Sequence, residues 1–237
     1  MTITTAMVMA AGVGSRMRPL TDDRCKALVA VDGKALIDWT LDKLAGAGVA
    51  RAVVNVHHFA DALETHLASR TNPDILISDE RSQLLETGGG LAKAAPLLGR
   101  DPIFTANIDA LWVDGKRAEL PRLADGFDPE RMDFRLMLAR LDHTLGFDGP
   151  GDFFLDGEGR LTRRGDQPAA PFAYAGVQVM NPRVLAGRAV EPFSTNRLWD
   201  EALARGRVFG CVMDAFWMHV GDPQARDAAE NRLRSVS

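Results

Sequence analysis

The stretch Met7–Thr21, MVMAAGVGSRMRPLT, decides the fold. Thr5 to Ala11 is a short apolar run, TAMVMAA, that reads as a buried strand and passes without a polar spacer into Gly12-Val13-Gly14-Ser15-Arg16. A strand feeding a glycine turn brings bare backbone N–H groups close to an anion. Arg16 and Arg18 add fixed positive charge beside those amides, and Pro19 keeps a regular helix from starting inside the turn. The segment reads as an anion cradle for a nucleotide, with Ala11, Gly12, Gly14 and Ser15 as its backbone. A glycine turn with solvated arginines satisfies the same spacing.

Two familiar phosphate loops fail here at specific residues. A P-loop needs Gly-Lys-Ser/Thr at its end, which is absent. The dinucleotide fingerprint needs a small third residue for helix–strand packing, and Met17 stands there, which disfavours a nicotinamide dehydrogenase.

Outward from the loop, the pattern alternates between the two periods. Leu36–Ala47 carries Ile37, Leu41 and Leu44 on one helical face and ends at Gly46 and Gly48. Ala52–Val56 reads as a strand, Phe59–Ser69 as a helix, Asp74–Ser78 as a strand, Gly90–Leu98 as a helix and Pro102–Ala106 as a strand. This βαβαβ rhythm predicts a mainly parallel sheet with helices on both faces, and ligands gather beyond the carboxyl ends of such strands. The second half is richer in strands: Phe134–Leu141, Phe153–Leu155, Leu161–Arg164 and Tyr174–Met180, with the turn Asp156-Gly157-Glu158-Gly159. Thr195–Arg205 and Asp222–Arg234 read as helices around a strand at Val208–Met213. No repeat or linker divides the chain, so one domain spanning 1–237 is expected.

With 46% hydrophobic and 25% charged residues, the 237-residue chain suits one large α/β domain. Its formal net charge of −4 argues against a nucleic-acid surface, which needs a basic excess. No run of about 18 apolar residues and no export pattern appear, so a cytoplasmic protein without a membrane span is expected. Cys25 and Cys211 are distant and lack metal-ligand spacing, which fits a reducing compartment.

Three further segments carry chemistry. Glu86-Thr87-Gly88-Gly89-Gly90 precedes a helix and would present backbone groups able to read a nucleobase; a flexible turn is the plain alternative. Asn107-Ile108-Asp109 ends an apolar strand with a carboxylate able to hold a Mg²⁺ that bridges phosphates, or merely to cap the next turn. His57 and His58 are adjacent on a strand, point to opposite faces and cannot share one ion easily. Trp39, Trp199 and Trp217 read as core and wall packing.

The full string AAGVGSRMRPLT, followed by Lys26, resembles the signature of sugar-1-phosphate nucleotidyltransferases. That family writes Pro-Lys-Pro around the lysine, whereas this chain has Cys25-Lys26-Ala27. The resemblance implies a Rossmann-like three-layer α/β/α fold with a mainly parallel mixed sheet, its first half binding nucleotide and its second forming the sugar-side wall. It implies Arg16 and Lys26 as catalytic cations and Gly88 and Gly89 as the base site, with Glu86 beside them. It further implies Asn107 and Asp152 as sugar-phosphate contacts and Asp109 as a Mg²⁺ ligand. At Trp217-Met218-His219-Val220-Gly221, relatives carry Asp-Val-Gly with a second metal-binding aspartate, and His219 stands in its place. The Glu-Lys-Pro segment of longer relatives is replaced by Arg163-Arg164-Gly165, so no second phosphate-binding lysine is assigned and the chain groups with short uridylyltransferase-like members. The substrates implied are an NTP, UTP first, and a sugar 1-phosphate, N-acetylmuramate 1-phosphate first. A mannose-1-phosphate guanylyltransferase and a non-catalytic nucleotide-sugar binder remain open alternatives, and no oligomeric state follows.

Overall fold

The computed structural model describes residues 1–236. Its strands in chain order are β1 (Thr5–Met9), β2 (Ala30–Val31), β3 (Lys34–Ala35), β4 (Arg51–Val56), β5 (Asp74–Asp79), β6 (Ile103–Asn107) and β7 (Ala110–Trp112). They continue as β8 (Phe134–Arg140), β9 (Thr144–Leu145), β10 (Phe153–Leu155), β11 (Leu161–Arg163), β12 (Phe172–Met180), β13 (Val208–Val212) and β14 (Trp217–His219). The helices are α1 (Leu36–Gly46), α2 (Ala60–Leu67), α3 (Glu86–Leu98), α4 (Glu119–Asp125), α5 (Thr195–Leu203) and α6 (Pro223–Val236).

The signature strand β1 lies at the centre of the main sheet, parallel to β4 on one side and to β6 on the other, with β5 parallel beyond β4. Side chains alternate across it as the strand period demands. Ala6 and Val8 enter a core with Ile37 and Leu41 of α1, Leu63 of α2 and Leu123 of α4, while Met7 enters the opposite core with Leu91 of α3 and Leu198 of α5. A strand covered on both faces must be apolar throughout, which is why TAMVM shows no polar alternation.

The expected mixed sheet is present, and parallel pairing dominates only its first half. The second half joins through β12, antiparallel to β6 and to β8, with β13 parallel to β8 and the β10–β11 hairpin antiparallel at the far edge. The β8–β12 register shifts between Tyr174 and Gln178, at Gly176. A separate small sheet, β7-β14-β9, was not expected from the sequence, because its strands have two or three residues. It sets His219 opposite Ala110 and so beside Asp109. Among the described residues no helix is long and apolar enough to cross a membrane.

One expectation is corrected. The glycines after Glu86 do not precede a helix; they form the first turns of α3, which begins at Glu86 itself. The Gly88 and Gly89 N–H groups donate to Phe193 O at 2.8 and 3.1 Å, so they are not free to read a base. A methyl at Gly89 would stand 2.1 Å from Glu191 O and one at Gly88 would stand 2.3 Å from the Phe193 ring. These positions are glycine because the 191–195 segment lies directly on the helix. The clash at Gly89 is with backbone, which cannot swing aside. Gly89→Ala is therefore expected to cost about 1–3 kcal/mol by urea denaturation. It should also shift Ser194 and Thr195, which follow Phe193 on the same segment.

Candidate active site

At the end of β1, the Ala10 and Ala11 N–H groups donate to one atom, the Oδ1 of Asn55, at 2.7 and 3.2 Å. Asn55 is buried on β4, and its Nδ2 donates to Glu80 Oε1 at 2.8 Å. Glu80 is fully buried, and its other oxygen accepts Leu85 N at 3.0 Å, just before α3. A buried polar network is stable only when each member is satisfied. Here one carboxamide and one carboxylate tie the signature loop to the start of α3. His57 Nδ1 contacts Glu80 O at 2.8 Å, which gives that ring a structural role.

The loop then turns at Gly14, whose φ of +67° lies in the left-handed region. A methyl there would sit 2.9 Å from Lys26 Cβ, so glycine lets the loop close against Lys26. Thr21 Oγ1 completes the closure by donating to Gly14 O at 2.9 Å. Nothing lies within 4 Å of a methyl built on Gly12, so that face of the loop is open to a ligand. Arg16 is exposed at the rim and Lys26 is buried below it.

Lys26 Nζ donates to Asp109 Oδ2 at 2.6 Å, and His219 Nε2 approaches the same oxygen at 3.5 Å. Burial pushes the Asp109 carboxyl up, but the His219 hydrogen bond and the Lys26 charge outweigh it and hold it below the usual carboxylate range. Asp109 is thus an anion across neutral and mildly acidic pH. His219 Nδ1 lies 3.1 Å from Gly146 O, and a carbonyl only accepts, so Nδ1 carries a proton; Nε2 faces the Asp109 carboxylate, a second acceptor, and bonds it only by donating an N–H of its own.

Mg²⁺ favours hard oxygen ligands and retains waters. The described residues here hold one carboxylate and one imidazole and no group of three acidic, histidine or cysteine side chains fit to cage an ion. Asp109 fits Mg²⁺ as one ligand among phosphate oxygens and waters. The imidazole of His219 does not fit as a direct ligand.

Two cavities adjoin along the carboxyl ends of the strands. One is lined by Ala11, Gly12, Gly14, Ser15, Arg16, Lys26, Glu86 and Asp109. The other is lined by Asp152, Arg163, Tyr174, Gln178, Ser194 and Trp199. Met9, Thr87 and Asn107 line both, so Asn107 stands at the junction. Asp152 Oδ2 accepts Tyr174 N at 2.8 Å, which fixes that carboxylate at the second cavity. Gln178 accepts from Trp199 Nε1 and donates to Thr105 Oγ1, giving the second cavity a rigid polar floor.

Of the residues singled out in the sequence, the structure brings together Ala11, Gly12, Gly14, Ser15, Arg16, Lys26, Glu86, Asn107, Asp109 and Asp152 around this cleft, with His219 against Asp109. Gly88 and Gly89 line neither cavity. Asn55, Glu80 and Arg163 were missed as site residues. Asn55 and Glu80 lie in strand-ending segments with nothing in the local spacing to mark a network 25 residues apart.

A model of the MobA-like NTP transferase domain matches residues 6–133. The chain belongs to this family. It is 52% identical to the N-acetylmuramate alpha-1-phosphate uridylyltransferase of Caulobacter vibrioides, over 96% of each chain. An enzyme of the same description from Neisseria meningitidis is 44% identical over 45% of this chain. The inositol-1-phosphate CTP transferase structure from T. maritima superposes with a TM-score of 0.77 at 21% identity over 99% of this chain and 97% of its own, a likeness of fold alone. The chain is a sugar-1-phosphate nucleotidyltransferase by kinship, and its α/β fold matches that of its structural neighbours.

Replacing Asn55 by Ala would leave the Ala10 and Ala11 amides and the Oε1 of Glu80 without the Asn55 partner in a buried place. Asn55→Ala should lose about 1–3 kcal/mol of stability in urea denaturation. Its kcat/KM should fall even at temperatures where the variant is fully folded.

Proposed function

We propose that the protein transfers the uridylyl group of UTP to N-acetylmuramate α-1-phosphate, releasing pyrophosphate. The observation that carries this reading is the two-part cleft: a glycine loop with two cations in one part, an acid-bearing polar pocket in the other, and Asn107 at their junction. The donor and acceptor named for the Caulobacter vibrioides relative fit these two parts.

In this reading an oxygen of the sugar phosphate attacks the α-phosphorus in line, its bond to the β-phosphate bridging oxygen breaks, and pyrophosphate leaves. The attacking oxygen is already anionic near neutral pH, so no general base is required. The barrier is electrostatic, since two anions must meet while charge grows on the leaving group. The amides of Gly12, Gly14 and Ser15 hold the triphosphate, and Arg16 screens it from the rim. Lys26, buried and preset by Asp109, meets the growing charge without reorganising. Asn107 and Asp152 orient the acceptor. With Gly88 and Gly89 engaged on Phe193, the base contacts fall to Leu84, Glu86 and Thr87 at the cleft wall.

A bound Mg²⁺ would neutralise charge between phosphates, and Asp109 is the residue that would hold it. Free thiols at Cys25 and Cys211 and the supply of UTP accord with a cytoplasmic reaction. The nucleotide sugar would then return a cell-wall sugar to biosynthesis.

A turnover matrix of nucleotides against sugar 1-phosphates tests the reading. Pyrophosphate release should be fastest with UTP and N-acetylmuramate 1-phosphate; preference for GTP and mannose 1-phosphate, or no release with any pair, would overturn it. Arg16→Ala and Lys26→Ala should each lower kcat by roughly 10²-fold or more, as expected for donors that act on developing charge. Wild-type kcat in both variants would refute the phosphate assignment. Asp109→Ala should abolish Mg²⁺-dependent turnover, whereas His219→Ala should keep a measurable part of it. Equal loss in the two metal titrations would make His219 a ligand.

A further inference from the structure

The residues at Arg163-Arg164 have separate fates. Arg164 turns back into its own loop, donating from Nε to Gly151 O at 3.1 Å and from Nη1 to Gln167 O at 2.6 Å, and so braces the segment that carries Asp152. Arg163 lines the second cavity and is the one cation among the described residues that does so. Its guanidinium lies 5.0 Å from the Phe153 ring centre and 5.4 Å from that of Trp199. Nε donates to Asp200 Oδ1 at 2.9 Å and Nη2 to Asn196 Oδ1 at 2.9 Å. Nη2 also lies 3.4 Å from Asn196 O and 2.8 Å from Asp200 Oδ1, an ion pair. These three hydrogen bonds, the ion pair and two ring faces fix the plane of the guanidinium, and Nη1 is used by none of them. Beside it in the same cavity, Ser194 Oγ accepts from Asn196 N and Nδ2, both at 3.2 Å, which leaves its hydroxyl proton to donate elsewhere.

A fixed guanidinium N–H and a serine O–H on one wall form a site for an anion. The acceptor's 1-phosphate does not suit it, because that group must reach the α-phosphorus beside Lys26 and Asp109, in the part of the cleft that Arg163 does not line. The anion held by Arg163 must therefore sit on the far side of the sugar ring from the reacting phosphate. N-acetylmuramate differs from N-acetylglucosamine by a lactyl ether on O3 that ends in a carboxylate.

We infer that Arg163, supported by Ser194, binds the lactyl carboxylate of the acceptor and is the specificity-determining residue for a 3-O-carboxyalkyl amino sugar. This rests on the acceptor proposed above. The site would discriminate by charge as well as size: a sugar lacking the carboxylate leaves a preset guanidinium N–H without a partner in a partly buried wall, and such groups reject the analogue that does not satisfy them.

The test compares N-acetylmuramate 1-phosphate with its lactyl methyl ester, two acceptors of nearly equal shape and unequal charge, in wild type, Arg163→Gln and Arg163→Lys. Wild type should favour the acid over the ester by about 10- to 100-fold in kcat/KM, the range for a hydrogen bond to a charged group. Arg163→Gln should collapse that ratio to near unity, chiefly through KM for the acid, with KM for UTP held, and Arg163→Lys should restore part of it. An acid-to-ester ratio in Arg163→Gln equal to that of wild type would overturn the assignment while leaving the proposed reaction standing. Equal losses on acid and ester would also overturn it, since the residue would then serve the 1-phosphate or the fold. No pyrophosphate release by wild type from UTP and either acceptor would instead sink the reaction, and the assignment with it.

Discussion

Two backbone amides that leave β1 donate to a single oxygen, the Oδ1 of Asn55. An orphaned buried N–H is costly, and β1 is flanked on both sides by strands whose ladders end where the loop begins. The carboxamide solves both amides at once and delivers the chain into Gly12–Gly14 in one direction. Glu80 then fixes the carboxamide's orientation and, through Leu85, sets where α3 can start. A Gly90 methyl would stand 2.8 Å from Glu80 Oε1, so the third glycine of the ETGGG run serves this network. The glycine loop and the start of α3 therefore share one buried polar node, and neither can shift alone.

From that node the cleft is built by subtraction. Gly88 and Gly89 remove the side chains that would hold the 191–195 segment off α3, and Thr195 N donates to Thr87 Oγ1 at 2.9 Å to close the seam. Trp199 can then reach Gln178 and complete the floor of the second cavity. Tyr174 and Trp199 meet edge-on at 4.8 Å, a geometry that adds stiffness as well as buried area. Burial pushes the Tyr174 hydroxyl well above its ordinary range, so it stays a neutral hydrogen-bonding group in the pocket.

The parts legible in the sequence were those whose physics is local. An apolar run into a glycine turn, a helical face at Ile37, Leu41 and Leu44, and a strand-ending Asp109 each declare themselves within a dozen residues, and all stand as expected. The parts that were illegible depend on pairs far apart in the chain. The ETGGG run offered glycine without saying whether it freed backbone for a ligand or made room for another segment, and only Phe193, more than a hundred residues on, decides that. The split between Arg163 and Arg164 was equally hidden, because adjacent residues on β11 and its exit differ only in which face they join. The β7-β14-β9 sheet was hidden by the shortness of its strands, although the residues it carries had been singled out.

His219 shows how one side chain shapes the charge of this site. It offers an imidazole anchored by Nδ1 on Gly146 O, with its ring stacked at 24° against the buried Trp217. The anchoring leaves Nε2 no freedom to turn away from Asp109. The Asp109 carboxylate is faced by a lysine as well as the imidazole. Lys26 and His219 can each partner its oxygen, and both must share that oxygen with any ion the nucleotide brings. The His219 ring, held by Nδ1 on Gly146 O and by its stacking on Trp217, keeps Nε2 facing the Asp109 carboxylate from one fixed direction.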